Sequence, residues 1–358
     1  MSKKVMVAMS GGVDSSAAAL LLLEQGYELM GATLRMFDPE KLHQHKDCQS
    51  CGSNRDAEDA KAVCAKLGFS HYLFSMEPQF EQYVIKQFVE SYQKGQTPNP
   101  CVECNKHIKF DAMLEKAVEM GNDYLATGHY ANVCYDPRSG RYLLKKAADE
   151  SKDQTYVLYG LNQYQLSKIL LPLGEMTKSQ IRSKAMEREL VNAHKPDSQD
   201  ICFIQDGDYA RFIEDYTGQR MRCGLMMNTQ GLVVGKHKGI EHYTIGQRKG
   251  LGVAFGRPTY VLKKDTENNV LVVGDEEELL SDSLIAYNVN LILIQTLTGP
   301  MKVSVKTRYK QKQQPATIHP MENGCIKVVF DQPQRAVTPG QAVVFYDGDL
   351  VVGGGTIK

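Results

Sequence analysis

The sequence lacks an excess of charge of either sign, a membrane-length apolar run and any repeated or low-complexity segment. Its 42 Lys and Arg residues balance 42 Asp and Glu residues, which excludes a uniformly basic protein that coats nucleic acid. Near the start, the longest apolar run is Ala17 to Leu23, against the ~20 residues of a spanning helix. Lys3 and Lys4 precede an apolar stretch too short for a secretory signal. We therefore expect a cytoplasmic globular protein without a membrane partner.

Cysteine is present in an odd number, nine, in a chain of 358 residues. A chain of this length corresponds to two or three domains at ~150 residues each and needs no disulfides to complete its core. In a reducing compartment such cysteines serve as buried thiols, metal ligands or catalytic groups. Composition does not distinguish these roles, so we turn to the spacing of the cysteines in the sequence.

The periodicity of apolar residues predicts an α/β protein. Up to residue 130, short apolar strands alternate with helices that end at glycines, which is typical of a parallel sheet covered by helices. Helices are predicted at residues 15–25, 53–67, 78–94, 106–120, 153–160, 163–170, 177–190 and 207–217. After residue 258, regular short strands predict a closed barrel or sandwich, at 259–264, 270–273, 285–294, 301–309, 325–330, 342–346 and 350–353. We predict a Rossmann-like parallel-sheet domain at 1–218, a small mixed central domain at 219–280 and a C-terminal antiparallel β-barrel at 281–358.

The turn between the first strand and the first helix reads Ser-Gly-Gly-Val-Asp-Ser-Ser. Gly11 and Gly12 let the backbone approach an anion, and Ser15 lies where helix N–H groups favour phosphate. A tight turn that binds nothing is the alternative interpretation, and the Gly-Lys-Ser/Thr ending of a Walker loop is absent. The full string resembles the PP-loop of ATP pyrophosphatases. That resemblance implies cleavage of ATP to AMP and pyrophosphate, with Mg²⁺ neutralising the departing pyrophosphate.

Two further motifs contain cysteines. The segment Asn-Pro-Cys-Val-Glu-Cys-Asn-Lys opens a helix, and the helix N-terminus favours the thiolate form of Cys101 and Cys104. Cys202 lies in an apolar, strand-like run, where a cysteine alone is more often an inert buried thiol.

Together these strings resemble the bacterial tRNA-specific 2-thiouridylases of the MnmA type, over the whole chain and through seven ordered motifs. The resemblance implies ATP-dependent 2-thiolation of the wobble uridine of tRNA. The uracil C2 oxygen would be adenylated, and a cysteine persulfide would supply sulfur with release of AMP and pyrophosphate. The implied partners are tRNAs for Lys, Glu and Gln and a cysteine desulfurase or sulfur-relay protein.

The resemblance also assigns roles to individual residues that match the family's motifs. The residues expected to contact ATP are Ala8, Met9, Ser10, Gly11, Gly12, Val13, Asp14, Ser15, Met36 and Gly128. Cys104 matches the nucleophile and Cys202 the cysteine that carries the persulfide, so the pair would form a disulfide during turnover. The residues expected to contact tRNA are Asn99, Pro100, Cys101, His129, Lys152, Asp153, Gln154, Arg308, Tyr309 and Gln341.

Several alternatives stay open for the cysteines. Many relatives have Asp where this chain has Cys101, so this thiol could join sulfur transfer, or ligate an iron–sulfur cluster together with Cys104 and Cys202. A separate polar segment has the spacing of a structural zinc site at His43, His45, Cys48 and Cys51. Neither set is assigned as definite metal ligands.

Three basic stripes, at residues 178–195, 235–250 and 301–314, could follow a phosphate backbone. Taken one at a time, each stripe is also compatible with a solvated surface.

Two other functions compete with thiolation. Another AMP-forming PP-loop ligase would need an ammonia source rather than paired cysteines, and a non-catalytic RNA-binding or cluster-carrying protein would not need the intact glycine loop.

Overall fold

The structure, a computed structural model, describes residues 2–38, 54–196, 201–204, 206–253 and 256–358. The described residues form one five-stranded parallel sheet, one four-stranded mixed sheet and one eight-stranded antiparallel sheet. This confirms the predicted α/β class with a C-terminal β-barrel. The zinc-like spacing at His43, His45, Cys48 and Cys51 lies outside the described residues. Within them, no helix combines the length and the apolar character needed to cross a bilayer.

The parallel sheet has the strand order β3-β2-β1-β4-β7. The first seven strands are β1 (Lys4–Ala8), β2 (Glu28–Arg35), β3 (Ser70–Ser75), β4 (Tyr124–Ala126), β5 (Asn132–Asp136), β6 (Arg141–Lys145) and β7 (Ile169–Leu170). Strand β1 is central and apolar after Lys4, and Val5, Met6 and Val7 are completely buried. The strand order reverses direction at β1, which opens a crevice at the carboxyl ends of β1 and β4, where ligands bind in such sheets.

Nine α-helices accompany these strands in the described residues. They are α1 (Val13–Glu24), α2 (Asn54–Leu67), α3 (Glu77–Phe80), α4 (Lys86–Gln93), α5 (Pro100–Glu103), α6 (Met113–Glu119), α7 (Gln163–Ser167), α8 (Lys178–Glu187) and α9 (Tyr209–Thr217). A turn of π type, Cys104–Ala112, joins α5 to α6, so residues 100–119 form one continuous helix, here called the cysteine helix. Thr177 and Gln180 form a capping box at the start of α8.

The middle sheet is small and packs around its own apolar cluster. Its strands are β8 (Gly224–Met227), β9 (Val233–His237), β10 (Tyr260–Asp265) and β11 (Val270–Gly274), in the order β10-β11-β8-β9. Met226, Val261 and Leu271 are fully buried between this sheet and the adjoining loops. The sheet is mixed because β8 and β11 run parallel while the other pairs are antiparallel.

The last six strands close into a barrel. They are β12 (Leu280–Leu291), β13 (Met301–Lys306), β14 (Gln314–Pro320), β15 (Ile326–Arg335), β16 (Ala342–Asp347) and β17 (Leu350–Ile357). Strand β12 pairs with β15 on one side and with β17 on the other, and this double pairing removes the free sheet edges. The interior is filled by alternating apolar side chains such as Val328 and Phe345.

The barrel is joined directly to the first part of the chain. The hairpin of β5 and β6 extends the barrel sheet through the pair Lys145 and Leu350. Arg141 Nε donates to the carbonyl of Ile292 at 2.8 Å, and Tyr156 Oη donates to the carbonyl of Ala342 at 2.7 Å. These contacts fix the barrel against the domain that carries the glycine loop and the cysteine helix.

Candidate active site

The glycine loop begins helix α1 without a side-chain cap from the described residues. Gly12 occupies the N-cap position with φ −89° and ψ 163°. The hydroxyls of Ser15 and Ser16 instead donate back to the carbonyl of Gly12, at 3.0 and 3.1 Å. The first N–H groups of a helix have no partner within the helix, so this terminus suits an anion such as a phosphate. This geometry fits a nucleotide at residues 8–15, here called the phosphate loop.

Gly11 and Asn192 shape the phosphate loop. Gly11 has φ +73°, and a Cβ there would lie 2.4 Å from the carbonyl oxygen of Asp56, so only glycine fits. Asn192 Nδ2 donates to the carbonyls of Gly11 and Gly12, at 3.0 and 3.2 Å, and to Ser16 Oγ at 2.9 Å. Asn192 Oδ1 is buried without a hydrogen-bond partner among the described residues. It is an acceptor that a ligand or water in the crevice would satisfy.

Gly128, at the end of β4, closes the other side of the loop. A Cβ on Gly128 would lie 2.7 Å from the backbone nitrogen of Ser15, so the two segments touch through backbone alone. The carboxylate of Asp14 accepts from Tyr130 Oη at 2.7 Å and from Lys178 Nζ at 2.7 and 2.8 Å. Tyr130 and Lys178 therefore orient the only acidic side chain of the phosphate loop.

Lys195 ties the loop to helix α2. Its Nζ donates to Asp56 at 2.6 Å, to Asp59 at 2.8 Å and to the carbonyl of Gly11 at 3.3 Å. Burial acts to lower the pKa of Lys195, but hydrogen bonds to Asp56 and Asp59 outweigh it, so the net pKa is raised. The ammonium group is therefore a permanent charge beside the phosphate loop.

The cations of the basic stripe at residues 178–195 have partners within the chain. Lys178 and Lys195 bind the acidic groups just described, and Lys184 and Arg188 both bind Glu24 at the far end of α1, at 3.3 and 3.1 Å. The fifth cation, Arg182, donates to the carbonyls of Ala193 and Lys195. Lys178 and Lys195 thus support the phosphate loop, whereas binding of tRNA along this stripe stays a prediction.

The cysteine helix begins at Pro100 rather than at the predicted Lys106. Asn99 Oδ1 accepts from the backbone N–H of Cys101 at 3.1 Å, and Pro100 occupies the first helical position, where its missing N–H costs no hydrogen bond. Cys101 is exposed on the first turn, whereas Cys104 is buried. Cys104 Sγ lies 3.8 Å from Sδ of Met36, which follows strand β2 at the ligand-binding edge of the sheet.

Cys202 lies on the same apolar cluster as Cys104. Its side chain is half-buried and packs against the cluster that includes Cys104 and Met36. The next residue, Phe203, is fully buried, with its ring 5.6 Å from that of Phe80 in an edge-on arrangement. The structure thus brings two cysteines from distant parts of the chain onto one large apolar cluster, against which Ala8 also packs.

Comparison with known proteins decides the family. Residues 3–206 match the family described as tRNA methyl transferase HUP domain, residues 210–275 the tRNA methyl transferase PRC-barrel domain, and residues 281–357 the Aminomethyltransferase beta-barrel domain. The chain is 54% identical to the tRNA-specific 2-thiouridylase MnmA of Acetivibrio thermocellus, with 99% of each chain covered. The chain belongs to the MnmA family of tRNA-specific 2-thiouridylases. It is also 51% identical to the MnmA of Halothermothrix orenii, over 99% of each chain, and 49% identical to that of Clostridioides difficile, over 100% of this chain and 99% of the relative.

In the described residues, the cysteines of this MnmA-family chain are not arranged as a metal site. There, no three His, Cys, Asp or Glu side chains come together as a set that could hold a metal ion. Cys101, Cys104 and Cys202 are not grouped in this way in the described residues, and an iron–sulfur cluster on these three thiols stays a prediction.

Several residues expected to contact tRNA are interior in this MnmA-family fold. His129 is buried, with Nδ1 2.7 Å from Thr127 Oγ1, and burial, reinforced by the charge of Lys109, lowers the pKa of His129 well below its usual value. Asp153 is buried and accepts from the backbone N–H of Ala147 at 3.1 Å. Gln154 accepts from the backbone N–H of Tyr130 at 2.9 Å, and Lys152 beside it is partly buried. A direct contact of these residues with tRNA stays a prediction.

Barrel residues that the sequence also predicts to contact tRNA form hydrogen bonds with backbone groups outside the barrel. Arg308 Nη2 donates to the carbonyl of Ile245 at 3.2 Å, and Gln341 Nε2 donates to the carbonyl of Thr97 at 2.8 Å. The ring of Tyr309 lies 6.0 Å from that of Tyr156, and its exposed fraction is 37%. Burial, followed by the charges of Asp153 and Cys101, raises the pKa of Tyr309.

Sequence reasoning missed the residues that support the phosphate loop from a distance. These are Tyr130, Lys178, Asn192 and Lys195. Their partners lie more than 100 residues away in sequence, so no local motif contains both members of a pair. The only available signal was the density of cations at 178–195, which predicted a different role.

Proposed function

We propose that this chain is a tRNA uridine 2-sulfurtransferase that uses ATP to activate the C2 oxygen of a wobble uridine. The observation that carries the proposal is the 3.8 Å contact of Cys104 Sγ with Met36, at the same sheet edge as the uncapped phosphate loop. A thiol at this edge of the sheet supports sulfur transfer to a base that is activated in the proposed nucleotide crevice. The names of the relatives support tRNA as the substrate.

The first step activates a poor electrophile. The uracil C2 oxygen attacks the α-phosphorus of ATP, the bond to the β-phosphate breaks, and pyrophosphate leaves with its charge. The N–H groups at the start of α1 bind phosphate oxygens, and Lys195 adds positive charge nearby. Mg²⁺, when bound, neutralises charge on the pyrophosphate; among the described residues, Asp14 is the loop carboxylate able to hold it beside the phosphates.

The second step replaces oxygen by sulfur. The terminal sulfur of a Cys202 persulfide attacks C2, and AMP leaves with the former carbonyl oxygen. The Cys104 thiolate then attacks Sγ of Cys202, which breaks the S–S bond, leaves sulfur on C2 and forms a Cys104–Cys202 disulfide. In a variant of this step, the Cys104 thiolate attacks Sγ of the Cys202 persulfide first, which forms the disulfide and releases sulfide, and the sulfide then attacks C2 as AMP leaves. An external dithiol reduces the disulfide for the next cycle.

The sulfur donor and the tRNAs follow from the same proposal. A cysteine desulfurase or a sulfur-relay protein would load the persulfide onto Cys202, and the tRNAs for Lys, Glu and Gln would be the substrates. On the barrel stripe at 301–314, Lys310 and Lys312 are exposed beside Tyr309. They are the cations of that stripe best placed to bind a phosphate backbone in the cytoplasm.

Serine substitutions test the two cysteines. We expect Cys104→Ser and Cys202→Ser each to reduce 2-thiouridine in tRNA at least ~10³-fold, because neither serine can take part in thiol exchange. ATP affinity should stay within about twofold of wild type, since neither thiol lies in the phosphate loop. The measurement is mercury-gel analysis of tRNA from cells that lack the wild-type protein, combined with calorimetric titration of ATP.

Cys134→Ser is the matched control, because Cys134 is an exposed cysteine on strand β5. It should thiolate tRNA normally. Normal thiolation by Cys104→Ser or Cys202→Ser would contradict the mechanism. Pyrophosphate release that does not depend on tRNA would instead favour another AMP-forming ligase of the same fold.

A further inference from the structure

The barrel contacts the segment that precedes the cysteine helix. The backbone N–H of Thr97 donates to the carbonyl of Pro339 at 2.9 Å, and the carbonyl of Thr97 accepts from Gln341 Nε2 at 2.8 Å. Residues 336–341, here called the brace loop, connect strands β15 and β16 and supply both partners. The position of Thr97 is therefore set by the barrel and not by its own domain alone.

The fit between the two segments is close. Gly340 has φ +87°, and a Cβ on it would lie 2.8 Å from Cβ of Gln96 and 3.0 Å from the backbone nitrogen of Thr97. The backbone N–H of Gly340 donates to the carbonyl of Ile357 at 2.9 Å, at the end of the last barrel strand. The brace loop is thus anchored on the barrel while it touches the cysteine segment.

Arg308 fixes the other end of the brace loop. Its Nη2 donates to the carbonyl of Ala336 and to Thr338 Oγ1, both at 3.0 Å, and also to the carbonyl of Ile245. Burial lowers the pKa of Arg308 from its usual value, and the nearby charge of Arg335 adds to this, as expected for a guanidinium enclosed by its own chain. One side chain therefore links the middle sheet, the barrel and the brace loop.

We propose that the brace loop positions the first turn of the cysteine helix, with Gln341 and Arg308 as positioning residues. The inference rests on the proposed function, because it assumes that the thiols of this helix react with the activated base. Asn99, which caps the helix, follows Thr97 after a single proline, so a displacement of Thr97 moves the cap. The cap in turn holds the backbone of Cys101 and the register of Cys104.

The experiment measures thiol reactivity in the full chain without tRNA or ATP. Gln341→Met keeps the approximate size of the side chain but loses the donor to Thr97. We expect the alkylation rate of the buried Cys104 by iodoacetamide, resolved by mass spectrometry, to rise about fivefold, the size of one net hydrogen bond in a local opening equilibrium. Gln332→Met, at an exposed glutamine of strand β15, is the matched control and should leave the rate unchanged.

Binding and turnover separate positioning from contact. For Gln341→Met we expect kcat for thiolation, measured at saturating tRNA, to fall together with the rise in Cys104 alkylation. A loss of tRNA affinity with unchanged alkylation of Cys104 and unchanged kcat would overturn the proposal and leave Gln341 with a tRNA contact alone. Unchanged alkylation and unchanged kcat would overturn it as well.

Gln341→Glu provides a second variant if Gln341→Met does not fold. The ionised carboxylate has the same length but no proton to donate to the carbonyl of Thr97, so the alkylation rate of Cys104 should rise as in Gln341→Met. Thermal unfolding confirms that each variant is folded before alkylation. Because the alkylation assay needs neither substrate, it succeeds or fails independently of the proposed thiolation.

Discussion

At the scale of single residues, Asn192 shows how distant parts of the chain complete the phosphate loop. Its Nδ2 binds the carbonyls of Gly11 and Gly12, which point away from the N–H groups offered to phosphate. Because each peptide unit is planar, a side chain that fixes these carbonyl groups also fixes the direction of the N–H groups that follow them. Asn192 is buried, so the loss of its donor would leave those carbonyls without compensation from water.

The variant Asn192→Asp tests this role. The carboxylate would face two carbonyl oxygens, so we expect the KM for ATP to rise about tenfold and the free energy of unfolding to fall by about 1–3 kcal/mol. Pyrophosphate release at varied ATP and denaturant unfolding measure these effects. Asn162→Asp is the control, because Asn162 caps helix α7 as an acceptor and Asp retains that function. An unchanged KM for Asn192→Asp would exclude Asn192 as a support of the loop.

At the scale of elements, sequence patterns predicted the long elements and missed the short or displaced ones. Strands β1 to β4 have apolar runs that glycines delimit, and these signals are local. Strand β7 has only two residues and lies inside the predicted helix 163–170, because its pairing with β4 comes from tertiary packing. Strand β14 begins at the end of the lysine-rich stripe 301–314. The charged residues of the stripe hid the alternation of apolar and polar side chains that would have predicted this strand.

The start of the cysteine helix was predicted six positions late for a physical reason. Two prolines at positions 98 and 100 suggest a loop, but a proline at the first helical position costs no hydrogen bond. The sequence alone predicted the cysteines of the site and their place near a helix start. It did not predict that Met36 contacts Cys104, because this contact depends on how the helix packs against strand β2.

Variants of Asn99 test the helix start and its expected substrate contact together. Asn99→Ala removes the acceptor for the N–H of Cys101 and should lower the free energy of unfolding by about 1 kcal/mol, whereas Asn99→Asp retains the cap. Denaturant titration measures stability, and mercury-gel analysis measures thiolation. Normal stability with lost thiolation in Asn99→Asp would identify Asn99 as a substrate contact. Equal stability of Asn99→Ala and wild type would show that the cap has no stabilising role.

At the scale of the whole molecule, three parts of the chain contribute to the candidate active site and its supports. The parallel-sheet domain supplies the phosphate loop, the barrel supplies the brace loop, and Arg308 reaches Ile245 in the loop that precedes strand β10. The division into units at 1–218, 219–280 and 281–358 stays a proposal for how these parts fold.

Lys264 marks the contact between the middle sheet and the first domain. Its Nζ is buried without a hydrogen-bond partner in the described part of the chain and lies 5.4 Å from the ring of Tyr92 on helix α4. Burial lowers the pKa of Lys264 to about 8, against an opposing effect of Glu241. The folded protein therefore binds this proton less tightly than the unfolded chain does.

The variant Lys264→Met should consequently be more stable than wild type at pH 7, by up to about 3 kcal/mol, because it removes a buried charge. As the pH rises from about 8 towards 10.5, the folded wild type loses the proton while the unfolded chain keeps it, so wild-type stability gains and the difference shrinks. Denaturant unfolding of both proteins at pH 7 and pH 9.5 measures this change. Lys263→Met, at the exposed neighbour on strand β10, should show no pH-dependent difference from wild type. A stability difference for Lys264→Met that is constant over this range, or a less stable variant at pH 7, would contradict the buried-charge explanation.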